Sequence, residues 1–523
     1  MSKALDDDNL AAATPNATGR IVDAPSQAYR RELALLEAAE YGQLQRVKRF
    51  LDAGNVDVDF VDSTGRAALH FAAREGRLDI VNALIAANCD VDASSKTYGT
   101  ALCLAASRSH RDVVNALLEA GADVKAPGGG LGSALHAACR AGDSELVDLF
   151  LQDETPFDVV RTVDNVIMTD GAKNVELTKL PEGQNYNYSQ QQPIHVAAGY
   201  GSTKIVQTLL DLGADVDARS RSWFSPEEFG TFESAADNHK SDGISVLHQA
   251  CRRGQSDVVE LLLKRGADPN AKPITSTRGT PLVFAAHSKN LRCVSLVLEA
   301  GDFVNEATSA GWTALHSAVH EDRLDSAKLL LDRGANIEAK AKGGVTSMFY
   351  VKSPAMVDLL IQRGAVVNYR TPEHGLTPIS FVSGWQDNSS TIIEKMIQLG
   401  AGVDFGDRTR SSTALFSAVM KERRENALTL LRMGANPRKL SLEYQNKLKG
   451  LIGDLPALRA TIKKPADPKK NVESKGLFRR LVQRQKAGPS EGAGSQAEVQ
   501  DFEDVDDDEV TLCGDSASVI SKV

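Results

Sequence analysis

GISVLHQACRRGQSDVVELLLKRGADPNAK, residues Gly243–Lys272, decides the fold. Val246, Leu247, Ala250 and Cys251 fall at i, i+1, i+4 and i+5, the apolar stripe of a short helix. Gly254 ends it, as glycine past a helix terminus does. A second helix runs from about Asp257, with Val258, Val259, Leu262 and Leu263 on its apolar side. Asp257 in its first turn and Lys264 and Arg265 in its last are the signs the helix dipole favours. Gly266 follows as a C-terminal glycine, and Ala267–Asp268–Pro269–Asn270 reads as an exposed turn. Helices of two to three turns do not stand alone in water. The unit therefore needs a neighbour that buries the same face.

The sequence supplies such neighbours. Leu247 has equivalents at Leu35, Leu69, Leu102, Leu135, Ile194, Leu282, Leu315, Met348, Ile379 and Leu415. Leu69, Leu102 and Leu135 are 33 residues apart, as are Leu282, Leu315 and Met348. The step from that leucine to the turn glycine is 19 residues at Leu35–Gly54, Leu102–Gly121, Ile194–Gly213, Leu247–Gly266, Leu282–Gly301, Leu315–Gly334 and Leu415–Gly434.

This period and lettering resemble the ankyrin repeat. The matching stretches are GRAALHFAAREGRLDIVNALI (Gly65–Ile85), GSALHAACRAGDSELVDLFL (Gly132–Leu151), QPIHVAAGYGSTKIVQTLLDLGADVDA (Gln192–Ala218) and GWTALHSAVHEDRLDSAKLLLDRGANIEA (Gly311–Ala339). The resemblance covers roughly residues 31–437. It implies an all-α solenoid of about ten to eleven helix–turn–helix repeats, with turn or hairpin fingers between them and a protein-binding role. An array of this kind has no single central core, so the length of 523 residues does not imply several globular domains.

Composition narrows the function classes. A net charge of −9 gives no overall reason to expect nucleic-acid binding. The six cysteines, Cys89, Cys103, Cys139, Cys251, Cys293 and Cys513, form no C-x-x-C pair and read as small core residues of a reducing compartment. No secretory signal and no run of 18 apolar residues is visible, so an intracellular chain, cytoplasmic or nuclear, without a membrane span is expected. Five of the ten histidines (His70, His136, His195, His248, His316) occupy one repeat position. Stacking spaces them in a row, where a metal site needs convergence. The resemblance implies that they tie adjacent turns by hydrogen bonds. No G-x-S-x-G, G-x-x-x-x-G-K-[ST] or H-E-x-x-H occurs, so no catalytic, cofactor or metal residues are assigned.

Departures from the repeat mark the organisation. Residues 1–30 read as a disordered tail and 31–151 as an N-terminal block, its first copy atypical with Glu32, Glu37 and Glu40 outward as on a cap. His110 and Asn88 replace glycines, so those copies are expected to be looser. Residues 152–191 are a degenerate repeat, a β-like excursion or a partner-binding insertion. Repeats resume over 192–342, interrupted at 219–242 by Trp223, Phe224, Phe229 and Phe232, which either fold back or protrude as an anchor. Over 343–437 the Met348 copy has 16 residues to Gly364 instead of 19 and carries Pro354 where its first helix should end. The array is expected to bend or loosen around Gly343–Gly384. Residues 438–461 read as a C-terminal capping helix. Residues 462–523 read as a disordered tail, basic over Lys463–Lys486 and acidic over Asp501–Glu509. The basic part is open to three readings: a solvated tail, a nuclear-import signal, or a surface for acidic lipid or nucleic acid.

The outer end of the first helix is the expected binding edge, since ankyrin-like stacking lines the groove with it. Arg74, Arg140, Arg252, His287 and His320 sit five residues after the leucine, with Arg108 and Arg253 beside the row. Tyr98, Trp223, Phe224 and Trp312 are the candidate aromatic contacts. A monomer is expected that binds other proteins through acidic segments, with the chain's own Asp501–Glu509 as one candidate occupant.

Overall fold

The structure is a computed structural model that describes residues 27–95, 98–126, 128, 132–152, 191–220, 243–273, 279–387, 389–405 and 413–452. The expectations placed on residues 1–26, on the segment 153–190, on Trp223, Phe224, Phe229 and Phe232, and on everything after Ile452 lie outside these residues. The described chain is mostly helical and forms two compact units. One runs to Val367 and includes Thr371–Glu373. The other holds Asn368–Arg370 and the chain from His374. The boundary falls inside Gly343–Gly384.

The first unit is a stack of helix pairs. They are α1 (Gln27–Glu40) with α2 (Leu44–Ala53), α3 (Ala68–Arg74) with α4 (Leu78–Ala86), α5 (Ala101–Ser107) with α6 (Arg111–Glu119), and α7 (Ala134–Ala141) with α8 (Ser144–Phe150). There follow α9 (Pro193–Tyr200) with α10 (Thr203–Asp211), α11 (Val246–Arg253) with α12 (Ser256–Lys264), α13 (Pro281–His287) with α14 (Leu291–Ala300), and α15 (Ala314–His320) with α16 (Leu324–Asp332). First helices pack on first helices and second on second. Fingers join the pairs. β1 (Ser94–Ser95) pairs antiparallel with β2 (Gly99–Thr100), and β3 (Arg219–Ser220) with β4 (Ile244–Ser245). α7 packs directly on α9, and His136 Nε2 lies 2.6 Å from the Gln191 carbonyl oxygen. α7 and α9 are thus neighbours among the described first helices.

One pair shows why these residues take this form. Val246, Leu247, Ala250 and Cys251 are fully buried, and so is His248. The first two turns of the helix are enclosed by its own partner and by the first helices before and after it. A buried imidazole needs both nitrogens satisfied. His248 Nδ1 accepts from the Ser245 amide (3.2 Å) and hydroxyl (2.8 Å), and Nε2–H donates to the Gly279 carbonyl of the next repeat (3.2 Å). His70 repeats both bonds, accepting from the Ala67 amide (3.1 Å) and reaching the Gly99 carbonyl (3.0 Å), while His195 keeps only the inter-repeat bond, to the Ala218 carbonyl (3.0 Å). Side-chain oxygens accept amides one repeat on: Asp59 from Asp90 (2.9 Å), Asp92 from Asp123 (2.9 Å), Asp217 from Asp268 (3.1 Å) and Asn305 from Asn336 (2.7 Å). Cys103, Cys139, Cys251 and Cys293 are buried free thiols.

Three local expectations are corrected. Residues 27–30, read as tail, are helical: α1 starts at Gln27, and Tyr29 packs edge-on against Phe60 at 5.6 Å, giving the added turn a tertiary contact. The copies at Asn88 and Ser109 hold their turns without glycine, both residues taking φ of 57°. His110, read as a glycine replacement, stands one residue further on, where Nε2 lies 3.0 Å from the Arg74 carbonyl oxygen. The Met348 copy is shortened rather than loosened. A 3₁₀ turn, Ser347–Tyr350, replaces the first helix, and Met348, Phe349, Tyr350 and Val351 are all buried. Pro354 opens the second helix, α17 (Pro354–Gln362), at a position where proline's missing N–H has no helical partner to lose. Phe349→Ala is expected to cost the first unit about 3–5 kcal/mol, the range for a large side chain removed from a packed core. Urea unfolding of the full chain measures it; a loss below about 1 kcal/mol would mean a loose repeat.

The second unit repeats the plan with α18 (Pro378–Trp385), α19 (Ser390–Gln398), α20 (Ala414–Met420) and α21 (Arg424–Arg432). Buried Asn426 accepts from the Ser389 amide (3.1 Å) and donates to the Ser383 (3.0 Å) and Gln386 (2.9 Å) carbonyls. A last helix, α22 (Leu442–Ile452), packs on α20 and α21 through Leu448, Ile452 and a Tyr444–Phe416 ring contact at 4.6 Å.

Candidate partner-binding surface

In the first unit, the ends of the first helices are held by the residue that opens the next repeat's second helix. His110 Nε2 meets the Arg74 carbonyl. Gln255 donates to the Gly199 carbonyl (3.2 Å), Asn290 to Gly254 (2.8 Å), and Arg323 to His287 (3.5 Å). These side chains fix the backbone from which the candidate residues project.

Arg74 ends α3 half-exposed, with Nε 3.5 Å from Glu75. Arg108 caps α5 and is exposed. Arg140 is half-exposed; its guanidinium carbon lies 5.9 Å from the Tyr200 ring centroid, and its buried Nε has no hydrogen-bond partner. Arg252 and Arg253 end α11, one half-exposed and the other exposed. Tyr98 lies in the finger before α5. Its ring is 4.8 Å from the guanidinium carbon of Arg66, which also covers Phe71 at 4.4 Å. Asp62 Oδ2 accepts two bonds from the Arg66 guanidinium, from Nε at 3.1 Å and Nη2 at 2.9 Å, and Oδ1 accepts from the Arg66 amide at 3.0 Å. Burial raises the Asp62 carboxyl, but hydrogen bonds from Thr64 and Arg66 outweigh it and hold the pKa down at about 2.

The far end of the row behaves differently. Glu321 Oε1 is 2.9 Å from His320 Nδ1 and 3.7 Å from His287 Nδ1, and Oε2 is 3.7 Å from Arg323. The hydrogen bond with His320, aided by the charges of His287, His320 and Lys352 and opposed by burial, holds Glu321 down at about 2. Burial lowers the pKa of His287. The two histidines expected in the cationic stripe are therefore gathered around a carboxylate of their own chain.

Trp312 departs furthest from expectation. It is 6% exposed, donates from Nε1 to Ser317 Oγ at 2.8 Å, and packs its ring against His316, His320 and Tyr350. It holds two repeats together and presents little surface to a partner. Sequence reasoning passed over Arg66, Tyr200 and Glu321. Tyr200 and Glu321 each sit six residues after the repeat leucine, beside the row that was read, and Tyr200 is 53% exposed.

The comparisons with known proteins agree with this architecture. The family described as ankyrin repeats matches three times, at residues 35–128, 128–220 and 247–341. The chain belongs to the ankyrin repeat family. It is 31% identical over 173 residues to human ankyrin repeat and SOCS box protein 3, covering 30% of this chain and 33% of that one. It is 31% identical over 172 residues to a mouse B-cell lymphoma 3 protein homolog, covering 32% and 34%. It is 32% identical over 183 residues to E3 ubiquitin-protein ligase XBAT33 of Arabidopsis thaliana, covering 30% and 32%. The chain thus spans about a third of the length of each of these relatives. Among solved structures, the human ASB11 ankyrin repeat domain aligns with 58% of this chain and 98% of its own, at 21% identity and a TM-score of 0.30. Ankyrin repeats bind other proteins. No helix among the described residues is long and apolar enough to cross a membrane.

Proposed function

We propose that the chain is a non-enzymatic adaptor, working as a monomer inside the cell, that holds partner proteins by acidic segments laid along the first-helix ends and fingers of its first unit. The observation that carries this is the row Arg74, Arg108, Arg140, Arg252 and Arg253, half-exposed or exposed at the ends of packed helices in a chain of net charge −9. Arginine is enriched among residues that dominate protein interfaces, and opposed charge steers association. Repeat arrays change partner by surface substitution while the stacking residues stay, so the reading rests on these side chains and not on the fold. Reversing Arg74, Arg140 and Arg252 to Glu is expected to abolish recovery of partners captured by the tagged full-length chain. Unchanged recovery would overturn the proposal.

A second reading is favoured by one similarity: a subunit that recognises substrates for a larger enzyme, since one similar protein is named a ubiquitin-protein ligase. Residues 440–462 are where a recruitment segment would follow the array. The apolar side of α22 is already packed on its own unit through Leu448 and Ile452, which favours the adaptor reading. Association with a ligase core that depends on residues 440–462 would reverse that preference.

A further inference from the structure

The fifth and sixth positions after the repeat leucine, at the ends of successive first helices, read Arg74–Glu75, Ser107–Arg108, Arg140–Ala141, Gly199–Tyr200, Arg252–Arg253, His287–Ser288 and His320–Glu321. Glu75 and Glu321 bound a stretch of five helix ends, α5 to α13, in which no such position carries a carboxylate. Glu75 lies 3.5 Å from Arg74, and Glu321 gathers His287, His320 and Arg323, so each boundary sets a carboxylate beside the cations next to it. Between the boundaries stand Arg108 and Arg140 on one side and Arg252 and Arg253 on the other. The middle helix end, that of α9, breaks the cationic row with an aromatic ring. Tyr200 is 53% exposed, flanked by Arg140 at 5.9 Å, and set between Gly199 and the left-handed Gly201.

Resting on the adaptor reading, we infer that this window takes one extended acidic segment of a partner protein with an aromatic anchor at its centre, seated on Tyr200 between the two arginine pairs. Length follows from geometry. Four steps between packed helices at about 8–10 Å each give roughly 32–40 Å, which about ten to twelve extended residues span. Acidic residues at either end of the segment meet the arginines. The central ring stacks on Tyr200, and the neighbouring guanidinium supports the stack. Past the window Glu75 and Glu321 repel a continuing acidic run, which fixes the register.

The test is a thermodynamic cycle read by fluorescence anisotropy on the full-length chain. The probes are a labelled twelve-residue peptide of alternating Asp and Glu with Phe at its centre, and the same peptide with Ala there. Tyr200→Ala is expected to weaken the Phe peptide roughly tenfold and the Ala peptide less than about twofold, as loss of one stacking partner requires. Tyr200→Phe, which keeps the ring, should restore binding of the Phe peptide. Equal losses for both peptides would overturn the anchor and leave the acidic-segment reading standing. Failure of both peptides to bind, or binding that Arg140→Glu leaves unchanged, would remove that underlying reading as well. A peptide with Phe at its end that binds as tightly as the central one would overturn the register.

Discussion

Acidification from pH 7 to about pH 4 is expected to unfold the first unit and leave the second largely folded. The cause is the row of buried imidazoles. Burial, as the largest cause, holds His136, His195 and His316 down at about 4 and His248 at about 3, against 6.5 when exposed. Their folded pKa values are depressed, so the unfolded chain binds protons first as pH falls. Stability is fully present above 6.5, is lost progressively below it, and reaches its floor near the folded values. Each imidazole accounts for about 3 kcal/mol at full effect, and four together for on the order of 10 kcal/mol. That is comparable with the whole stability of a domain, about 5–15 kcal/mol. The second unit carries Ser380 and Phe416 at the equivalent positions, both buried and neither titrating in this range. Hydrogen exchange of the full chain at pH 7 and pH 5 tests the contrast. Amides of α7, α9 and α11 should lose protection at pH 5 while those of α18 and α20 keep theirs. Equal loss in both units would show that carboxylates, not the imidazoles, govern acid unfolding.

The second large effect is on binding. Each reversal among Arg74, Arg140 and Arg252 removes an attraction and adds a repulsion, about 1–2 kcal/mol apiece for charges at an interface. Three together should weaken an acidic partner at least ~100-fold. The fold should tolerate the change. Among the described residues Arg74 pairs with Glu75, and exposed pairs of that kind contribute about 0–1 kcal/mol. Circular dichroism at pH 7.5 should therefore match the parent. Lys264→Glu, on the exposed side of α12 where Lys264 pairs with Glu260 at 2.6 Å, should leave binding unchanged. An equal loss from that control would mean that net charge, rather than the row, drives association.

The array was legible because its cause is local and repeated. A leucine nineteen residues before a turn glycine, an imidazole beside it, and an apolar stripe of short period can be read from one copy and checked against the next. What escaped the sequence depends on which copies touch. Trp312 looked like a free aromatic, yet its burial comes from Tyr350, which the shortened Met348 copy brings against it at 4.8 Å. His287 and His320 looked like members of a cationic row. Glu321 draws both together, though one of them stands a repeat away in the sequence. The segment after residue 152 could have been a worn repeat. Only the structure shows that α7 and α9 lie against each other across it. The candidate site was legible as a row of positions, and its limits were not, because they are set by pairings between repeats.

The most direct test of where partners bind is zero-length carbodiimide cross-linking of native complexes of the full-length chain, which joins lysine amines to carboxylates in contact with them. Lys125 is exposed in the finger before α7 and Lys289 just past the end of α13; Lys204 on α10 and Lys264 on α12 are exposed on second helices. Adducts to acidic partner residues concentrated at Lys125 and Lys289 are the predicted result. Adducts concentrated at Lys204 and Lys264 would contradict the binding edge assigned to this protein.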